Sequence, residues 1–305
     1  MKNPSVRTAL VSLGEDRLIP LLTRGWGASA AASVLVGPGD DCAVLRGTRR
    51  GERLLFKTDA VVEEVHFTAA TPSALVGRKA LGRALSDIAA MGGTPTHAVI
   101  TLAVPPGTAP ARLIGIYRGL TALGRRYQVN LVGGETTRAA QLLISIALLG
   151  TIAVPPVLRS GGKAGDDLWV TGTLGATQKR KHLAFIPRLA EGRWLAEGRW
   201  ARAMMDLSDG LAADLPRLAA ASGTGFILDR AALPLARGAT VQAALGDGED
   251  YELLFAAAPR HRARLTAEWP RHFSTRLTRI GALCARGKGS AVADLGTGFD
   301  HFHHG

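Results

Sequence analysis

Short acidic motifs punctuate the chain at the ends of apolar runs, several of them beside glycine. They are Gly39-Asp40-Asp41, Thr58-Asp59, Ser86-Asp87, Gly133-Gly134-Glu135-Thr136-Thr137-Arg138, Asp206-Leu207-Ser208-Asp209-Gly210 and Gly248-Glu249-Asp250. Carboxylates, hydroxyls and water are the ligands that Mg²⁺ prefers, and Mg²⁺ suits phosphate-bearing molecules. Acids gathered in one place would repel a nucleotide unless metal ions stood between them. Their convergence would therefore make a multi-metal site for phosphoryl transfer. A single Asp after a strand is ordinarily a turn former or a helix N-cap, and Asp209 and Asp214 each fit that description. The case for chemistry rests on the motifs acting together. Other routes lack their residues. The nearest approach to G-x-x-x-x-G-K-[ST], Ala282 to Ser290, has Ala282 in the first Gly position and Gly289 after Lys288. There is no G-x-S-x-G and no H-E-x-x-H. His301, His303 and His304 read as a frayed tail.

The elements that must position these acids follow from periodicity. Residues 6–26 are predicted helical, with Leu10, Leu13, Leu18 and Leu22 near one face. Residues 34–45 read as a loop and then a strand, and 54–62 as a strand. Helical spacing covers 73–91, and residues 97–104 form a strand stopped by Pro105-Pro106. A helix over 109–127 leads to a short strand at 129–132, a loop at Gly133-Gly134 and a strand over 142–152. Pro155-Pro156 marks the boundary between an N-terminal domain, 1–154, and a C-terminal domain, 155–305. In the second half, strands are predicted at 168–172, 225–228 and 253–256, with a helix over 211–222. Leu-Ala-Glu-Gly-Arg-Trp occurs at 189–194 and again at 195–200, which reads as a slipped duplication on a surface helix. Two copies are too few for a solenoid.

The 305 residues are enough for two domains with a substantial core, and 47% apolar against 20% charged excludes disorder as the main state. The net charge of +12 raises the question of a polyanionic partner. Its location answers part of it. Residues 179–202 carry seven Lys/Arg against two Glu, and 260–288 carry eight against one, which accounts for the whole excess; the second stretch lies outside every motif and reads as a solvated surface. At 5% aromatics, stacking platforms for nucleic acid are poorly supplied. Cys42 and Cys284 have no paired spacing, so a reduced cytoplasmic protein is expected. Residues 139–158 carry no charge, but Gln141, Gly150 and Pro155-Pro156 argue for a buried strand rather than a membrane span.

Taken in order, the motifs resemble the thiamine-monophosphate kinase family, within the wider family that includes aminoimidazole ribonucleotide synthase. The colinear set runs from Gly14-Glu15 through Gly39-Asp-Asp-Cys-Ala-Val44, Thr58-Asp59, Glu64-Val-His66-Phe67, Lys79-Ala-Leu81 and Leu85-Ser-Asp-Ile-Ala-Ala-Met-Gly92. It continues through Gly133-Gly-Glu-Thr-Thr-Arg138, Arg159-Ser-Gly161, Val170-Thr-Gly-Thr-Leu-Gly175 and Asp206-Leu-Ser-Asp-Gly-Leu211. It ends on Gly248-Glu-Asp-Tyr-Glu-Leu253 and Gly298-Phe-Asp-His-Phe302. The resemblance implies ATP-dependent phosphorylation of thiamine monophosphate to thiamine diphosphate. It implies an α/β (α+β) two-domain fold whose N-terminal domain pairs into a homodimer with a shared β-barrel, beside a C-terminal α/β domain. It also implies that Asp41, Thr58, Asp59, Asp87, Glu135, Asp206 and Asp209 hold Mg²⁺. Gly134, Glu135, Arg159 and Ser208 would contact ATP, and His66, Glu249 and Phe299 the substrate. Asp59 and Asp209 would carry the catalytic charge, and Lys57, which the family pattern does not supply, is a candidate to join them from its place beside Asp59. No nucleic acid or membrane is implied.

The chemistry agrees with the inventory. A phosphate acceptor is already ionised at neutral pH, so it needs charge neutralisation and in-line placement rather than a general base. Three departures from the family pattern stand out. Lys57 sits where Ser or Thr is common, and strand alternation puts it on the same face as Asp59. Glu135 replaces an Asp. The segment between Gly175 and Pro187 is shortened, and Lys179-Arg180-Lys181 within it could supply phosphate contacts. These departures keep two alternatives open: a related enzyme with another substrate, or an inactive nucleotide-binding homologue.

Overall fold

The computed structural model describes residues 15–23, 32–177, 181–290, 295, 296, 298 and 299. Most of the helix expected over 6–26, the pair Lys179-Arg180 and residues 300–302 of the last motif lie outside that set. Of the first helix, α1 spans Glu15–Leu22.

The first sheet has the order β1-β2-β3-β6-β4-β5. Its strands are β1 (Val34–Val36), β2 (Ala43–Arg46), β3 (Arg53–Val62), β4 (Thr94–Val104), β5 (Asn130–Arg138) and β6 (Leu143–Ile152). All neighbours are antiparallel except β4 and β5, which run parallel. A parallel pair needs a crossover, and α3 (Pro110–Tyr127) supplies it. Helix α2 (Ser73–Ala90) packs on the same sheet and against α3. The two helices cross through reciprocal notches. A Cβ on Gly77 would lie 2.0 Å from the Ile116 carbonyl oxygen, and one on Gly119 1.9 Å from that of Ala74. The charge-free run at 139–158 is β6 with its flanks, as expected, and no helix among the described residues is long and apolar enough to cross a membrane.

The second sheet is antiparallel, in the order β8-β10-β7-β11-β9. It comprises β7 (Asp167–Thr171), β8 (Ala203–Asp206), β9 (Gly225–Leu228), β10 (Leu253–Ala257) and β11 (Leu277–Cys284). Around it lie α4 (Lys181–Ala184), α5 (Leu189–Glu197), α6 (Leu211–Ala221), α7 (Val241–Gly246) and α8 (Arg262–His272). Helix α2 also packs against α4, α5 and β8, so it lies between the two sheets. That position explains why it is buried almost all round from Val76 to Ala90.

Three sequence readings are corrected. Gly133-Gly134 is not a loop but the middle of β5. A Cβ on Gly134 would lie 1.9 Å from the Ile100 carbonyl oxygen, so the glycine marks a close strand approach rather than a turn. The duplicated hexapeptide is not on a solvated face. Leu189 and Leu195 are buried, and Trp194 and Trp200, equivalent in the two copies, stack at 5.1 Å. The basic stretch 260–288 is not merely surface, because it contains β11, an interior strand of the second sheet. Its arginines at 262 and 279 both bind the buried Asp167 carboxylate.

Candidate active site

Strand β3 alternates across its sheet, so Leu55, Lys57, Asp59 and Val61 face α2 while Phe56 and Thr58 face away. Asp87 comes from the last turns of α2, Asp41 from the turn before β2, and Asp206 from the end of β8. The ligand oxygens of Asp41, Asp87 and Asp206 all lie within 4.8 Å of one another, and all three residues are buried. Asp41 Oδ2 is buried and accepts no hydrogen bond. Ser86 Oγ donates to Asp206 Oδ2 at 2.5 Å. Three buried carboxylates so close together cannot all ionise without a cation. Burial first, and then the neighbouring Asp41 charge, push Asp206 up to about 7. Burial raises Asp87 well above the usual carboxylate range, although Lys57 opposes it. The oxygen donors, their spacing and the unused Asp41 oxygen suit a hard divalent cation such as Mg²⁺.

Basic side chains already meet several of the acids. Lys57 Nζ lies 3.1 Å from Asp87 Oδ1. Burial disfavours its charge, but Asp87 and Asp59 outweigh that and hold the ammonium protonated. Arg159 grips Asp41 Oδ1 through Nε at 3.2 Å and Nη2 at 2.6 Å, and its backbone N–H donates to both Asp40 oxygens. Arg217 binds Asp209 Oδ2 and, at 3.0 Å, Asp214 Oδ1. Arg83 Nη2 lies 3.3 Å from Asp59 Oδ1.

Three motifs from the second half clasp one another. Glu249 N–H donates to the Ser208 carbonyl at 2.6 Å, Tyr251 N–H to that of Leu207 at 2.8 Å, and Phe299 N–H to that of Asp209 at 2.9 Å. The loop is strained, with Glu249 and Tyr251 both left-handed at φ 55° and 51°. A Cβ on Gly210, itself at φ +96°, would lie 2.8 Å from the Leu245 carbonyl. Only glycine fits that crossing without strain.

Two cavities open on this framework. The larger, about 730 Å³, is lined by Asp40, Lys57, Asp59, Asp87, Arg159 and Asp206 together with one face of α6. The smaller, about 300 Å³, is lined by His66, His182, Glu249, Phe299 and their neighbours. Arg83, Ser208, Asp209 and Tyr251 line both. In the smaller cavity Glu249 lies 2.6 Å from the buried Lys79 Nζ and 3.0 Å from His182 Nδ1. Burial draws Lys79 down to about 8. It opposes ionisation of Glu249 too, but His182 and Lys79 hold that carboxyl at about 2, so the pair stays ionised at neutral pH. Phe185 stacks on Tyr251 at 4.0 Å and carries the shortened segment to the cavity wall.

Asp41, Lys57, Asp59, Asp87, Arg159, Asp206, Ser208 and Asp209 thus gather on the larger cavity or its acid group. His66, Glu249 and Phe299 gather on the smaller. Thr58 does not join them, because its hydroxyl faces the opposite side of the sheet beside Ser145 Oγ at 3.4 Å. Gly134 and Glu135 lie on exposed β5, three strands from Asp59, or about 14 Å at the usual strand spacing. Lys181 is engaged by Asp250 and the Thr173 carbonyl rather than turned to a ligand. The sequence reading missed Arg83, Arg217, Tyr251 and His182. Arg83 carried a signal, since it stands four residues before Asp87 on a helix.

Residues 39–152 match the N-terminal domain of AIR synthase related proteins, and residues 160–294 match the C-terminal domain. The chain is 36% identical over 272 residues to the thiamine-monophosphate kinase of Rhodopirellula baltica, covering 83% of this chain and 84% of that one. The chain belongs to the thiamine-monophosphate kinase family. A second member, from Escherichia coli K12, is 32% identical over 311 aligned positions, 90% of this chain and 94% of that one. Among solved structures, AaThiL complexed with AMPPCP and TMP superposes with a TM-score of 0.82 at 28% identity, covering 97% of this chain and 100% of that one. The thiamine-monophosphate kinase of Aquifex aeolicus gives 0.73 at 26% identity, covering 90% and 97%. The two-domain fold expected from the motifs is therefore the fold of this family.

Proposed function

We infer that the protein phosphorylates thiamine monophosphate to thiamine diphosphate with ATP, in a direct in-line transfer assisted by Mg²⁺. The observation that carries this reading is the junction of two cavities at Ser208 and Asp209. One is lined by acids and cations fit for a metal–nucleotide complex, the other by groups fit for an organic cation. Mg²⁺, when bound, would neutralise the phosphate chain and orient it. Asp41, Asp87 and Asp206 are the residues to hold it, with Asp59 and Asp209 within the same cavity. Lys57 holds a positive charge beside Asp87 and so lowers the net charge a nucleotide must meet. Arg159 and Ser208 border the nucleotide side. Phe299 and Tyr251 offer rings to a heteroaromatic acceptor, with Glu249 as the counter-charge and His66 as a polar contact. The acceptor phosphate, already ionised, needs no base.

The same reading includes a division near 154/155, a cytoplasmic location and a homodimer. The face of the first sheet turned away from α2 is bare and apolar at Phe56, Val99 and Leu149, and Val132 on edge strand β5 is 59% exposed. Two such sheets packed together would close a barrel. Gly134 and Glu135, remote from the acids of their own chain, would then act in a site completed across the dimer. The test is incubation of the purified protein with ATP, Mg²⁺ and thiamine monophosphate, followed by chromatography. Thiamine diphosphate is expected, and its absence at every Mg²⁺ concentration would overturn the reading.

A further inference from the structure

Helix α2 presents Lys79, Arg83 and Asp87 at four-residue intervals. They form one stripe, with about 6 Å of axial rise between neighbours. The Lys79 end meets Glu249 at the smaller cavity, and the Asp87 end meets Asp41 and Asp206 at the larger. Arg83 stands between them and lines both cavities. Its side chain is 13% exposed, so its charge sits at the throat rather than in solvent.

Its donors are incompletely used. Nη2 is 3.3 Å from Asp59 Oδ1 and Nη1 is 4.0 Å from Glu249 Oε1, while Nε is buried without a hydrogen-bond partner. Two other partly buried arginines hold a carboxylate more closely. Arg159 does so on Asp41, and Arg188 reaches both Glu252 oxygens at 2.6 Å. An arginine held loosely between two carboxylates, with a buried donor unspent, is placed for a third anion. Lys57 and Lys79 cannot substitute, because each is committed to a carboxylate at one end of the stripe.

We propose that Arg83 is a catalytic residue that clamps the phosphoryl group as it passes from the nucleotide cavity to the acceptor cavity. This rests on the kinase reading above. In the step, an oxygen of the acceptor phosphate forms a bond to the γ-phosphorus of ATP. The bond from that phosphorus to the β,γ-bridging oxygen breaks, and its electron pair leaves with ADP. No proton has to move at the nucleophile. Negative charge from acceptor, transferred group and leaving group meets at one point, and a guanidinium there lowers the barrier.

The test uses the full chain with Mg²⁺ and compares Arg83→Ala and Arg83→Lys with the wild type. Arg83→Ala is expected to lower kcat about 10³-fold with little change in either KM. Arg83→Lys keeps a charge opposite Asp59 and so keeps the ion pair. It should nevertheless recover no more than about tenfold of that loss, because an ammonium lacks the planar fork. A second readout is binding without turnover. By calorimetry, Arg83→Ala should retain AMPPCP but lose the tight complex with ADP, aluminium fluoride and thiamine monophosphate. A kcat within about threefold of wild type in Arg83→Ala would overturn the proposal. So would full activity in Arg83→Lys, or parallel loss of AMPPCP binding and thermal stability in both variants, which would make the arginine a spacer between Asp59 and Glu249. A wild-type protein that makes no thiamine diphosphate would instead overturn the kinase reading and take this proposal with it.

Discussion

At the scale of single residues, the site is governed by whether its carboxylates hold protons or cations. Asp206 is pushed up to about 7 by burial and by Asp41. A carboxyl raised in the folded state favours folding at low pH, and that contribution is lost as pH rises through the folded value. The metal-free protein should therefore lose thermal stability as pH rises from about 4 to about 7, and Mg²⁺ should restore it. Because Mg²⁺ must displace that proton, its affinity should rise about tenfold as pH passes through the folded value, measured by calorimetry. A flat profile would contradict the assignment of Asp206 as a ligand. Lys57 makes a second prediction. Lys57→Met leaves Asp87 without its nearest cation. In the metal-free protein the cost should be about 1–3 kcal/mol, below the range for fully buried pairs because the lysine side chain keeps 26% exposure. Denaturant titration with and without Mg²⁺ checks it, and the deficit should shrink when metal is present.

At the scale of elements, the acids were legible because they sit in short motifs beside apolar runs, and their ordered spacing survives in the linear chain. Their convergence was not, since it depends on α2 lying between two sheets. The same helix explains why Arg83 escaped notice. Its partners, Asp59 and Glu249, are far away in sequence, and only the four-residue step to Asp87 hinted at a shared stripe. Gly134 misled for a different reason. A glycine pair between strands looks like a turn, yet here it lets β5 approach β4 at Ile100. The repeat at 189–200 was visible as a repeat, but its burial was not. In its first copy Gly192 faces α2, where a Cβ would lie 2.0 Å from the Ala89 carbonyl oxygen. Gly192→Ala should therefore cost about 1–3 kcal/mol by overpacking, read as a lowered denaturation midpoint with an unchanged slope. The second copy's Gly198 ends the helix, and a Cβ there would meet Trp200 at 2.1 Å.

At the scale of the whole molecule, the excess charge of +12 belongs to two segments, and part of each is spent on buried acids. Lys181 and Arg188 are spent on Asp250 and Glu252, and Arg262 and Arg279 on Asp167. Positive charge from outside the motifs thus ties the second domain together beneath an acidic cleft. The bare face of the first sheet sets the oligomer prediction. Sedimentation should report twice the chain mass, and Val99→Glu with Val132→Glu should give monomers, because charge on both strands would be buried in a closed barrel. A wild-type monomer would contradict the barrel while leaving the acid group intact. The central claim is that the buried acids serve phosphoryl transfer between two adjoining cavities. It is tested most directly by following ³¹P resonances of ATP and thiamine monophosphate mixed with wild-type protein and with Asp206→Asn. The account expects ADP and thiamine diphosphate to appear together in equal amounts, only with a divalent cation, and far more slowly in the variant. Loss of ATP to free phosphate without thiamine diphosphate, or equal rates in the two proteins, would contradict it.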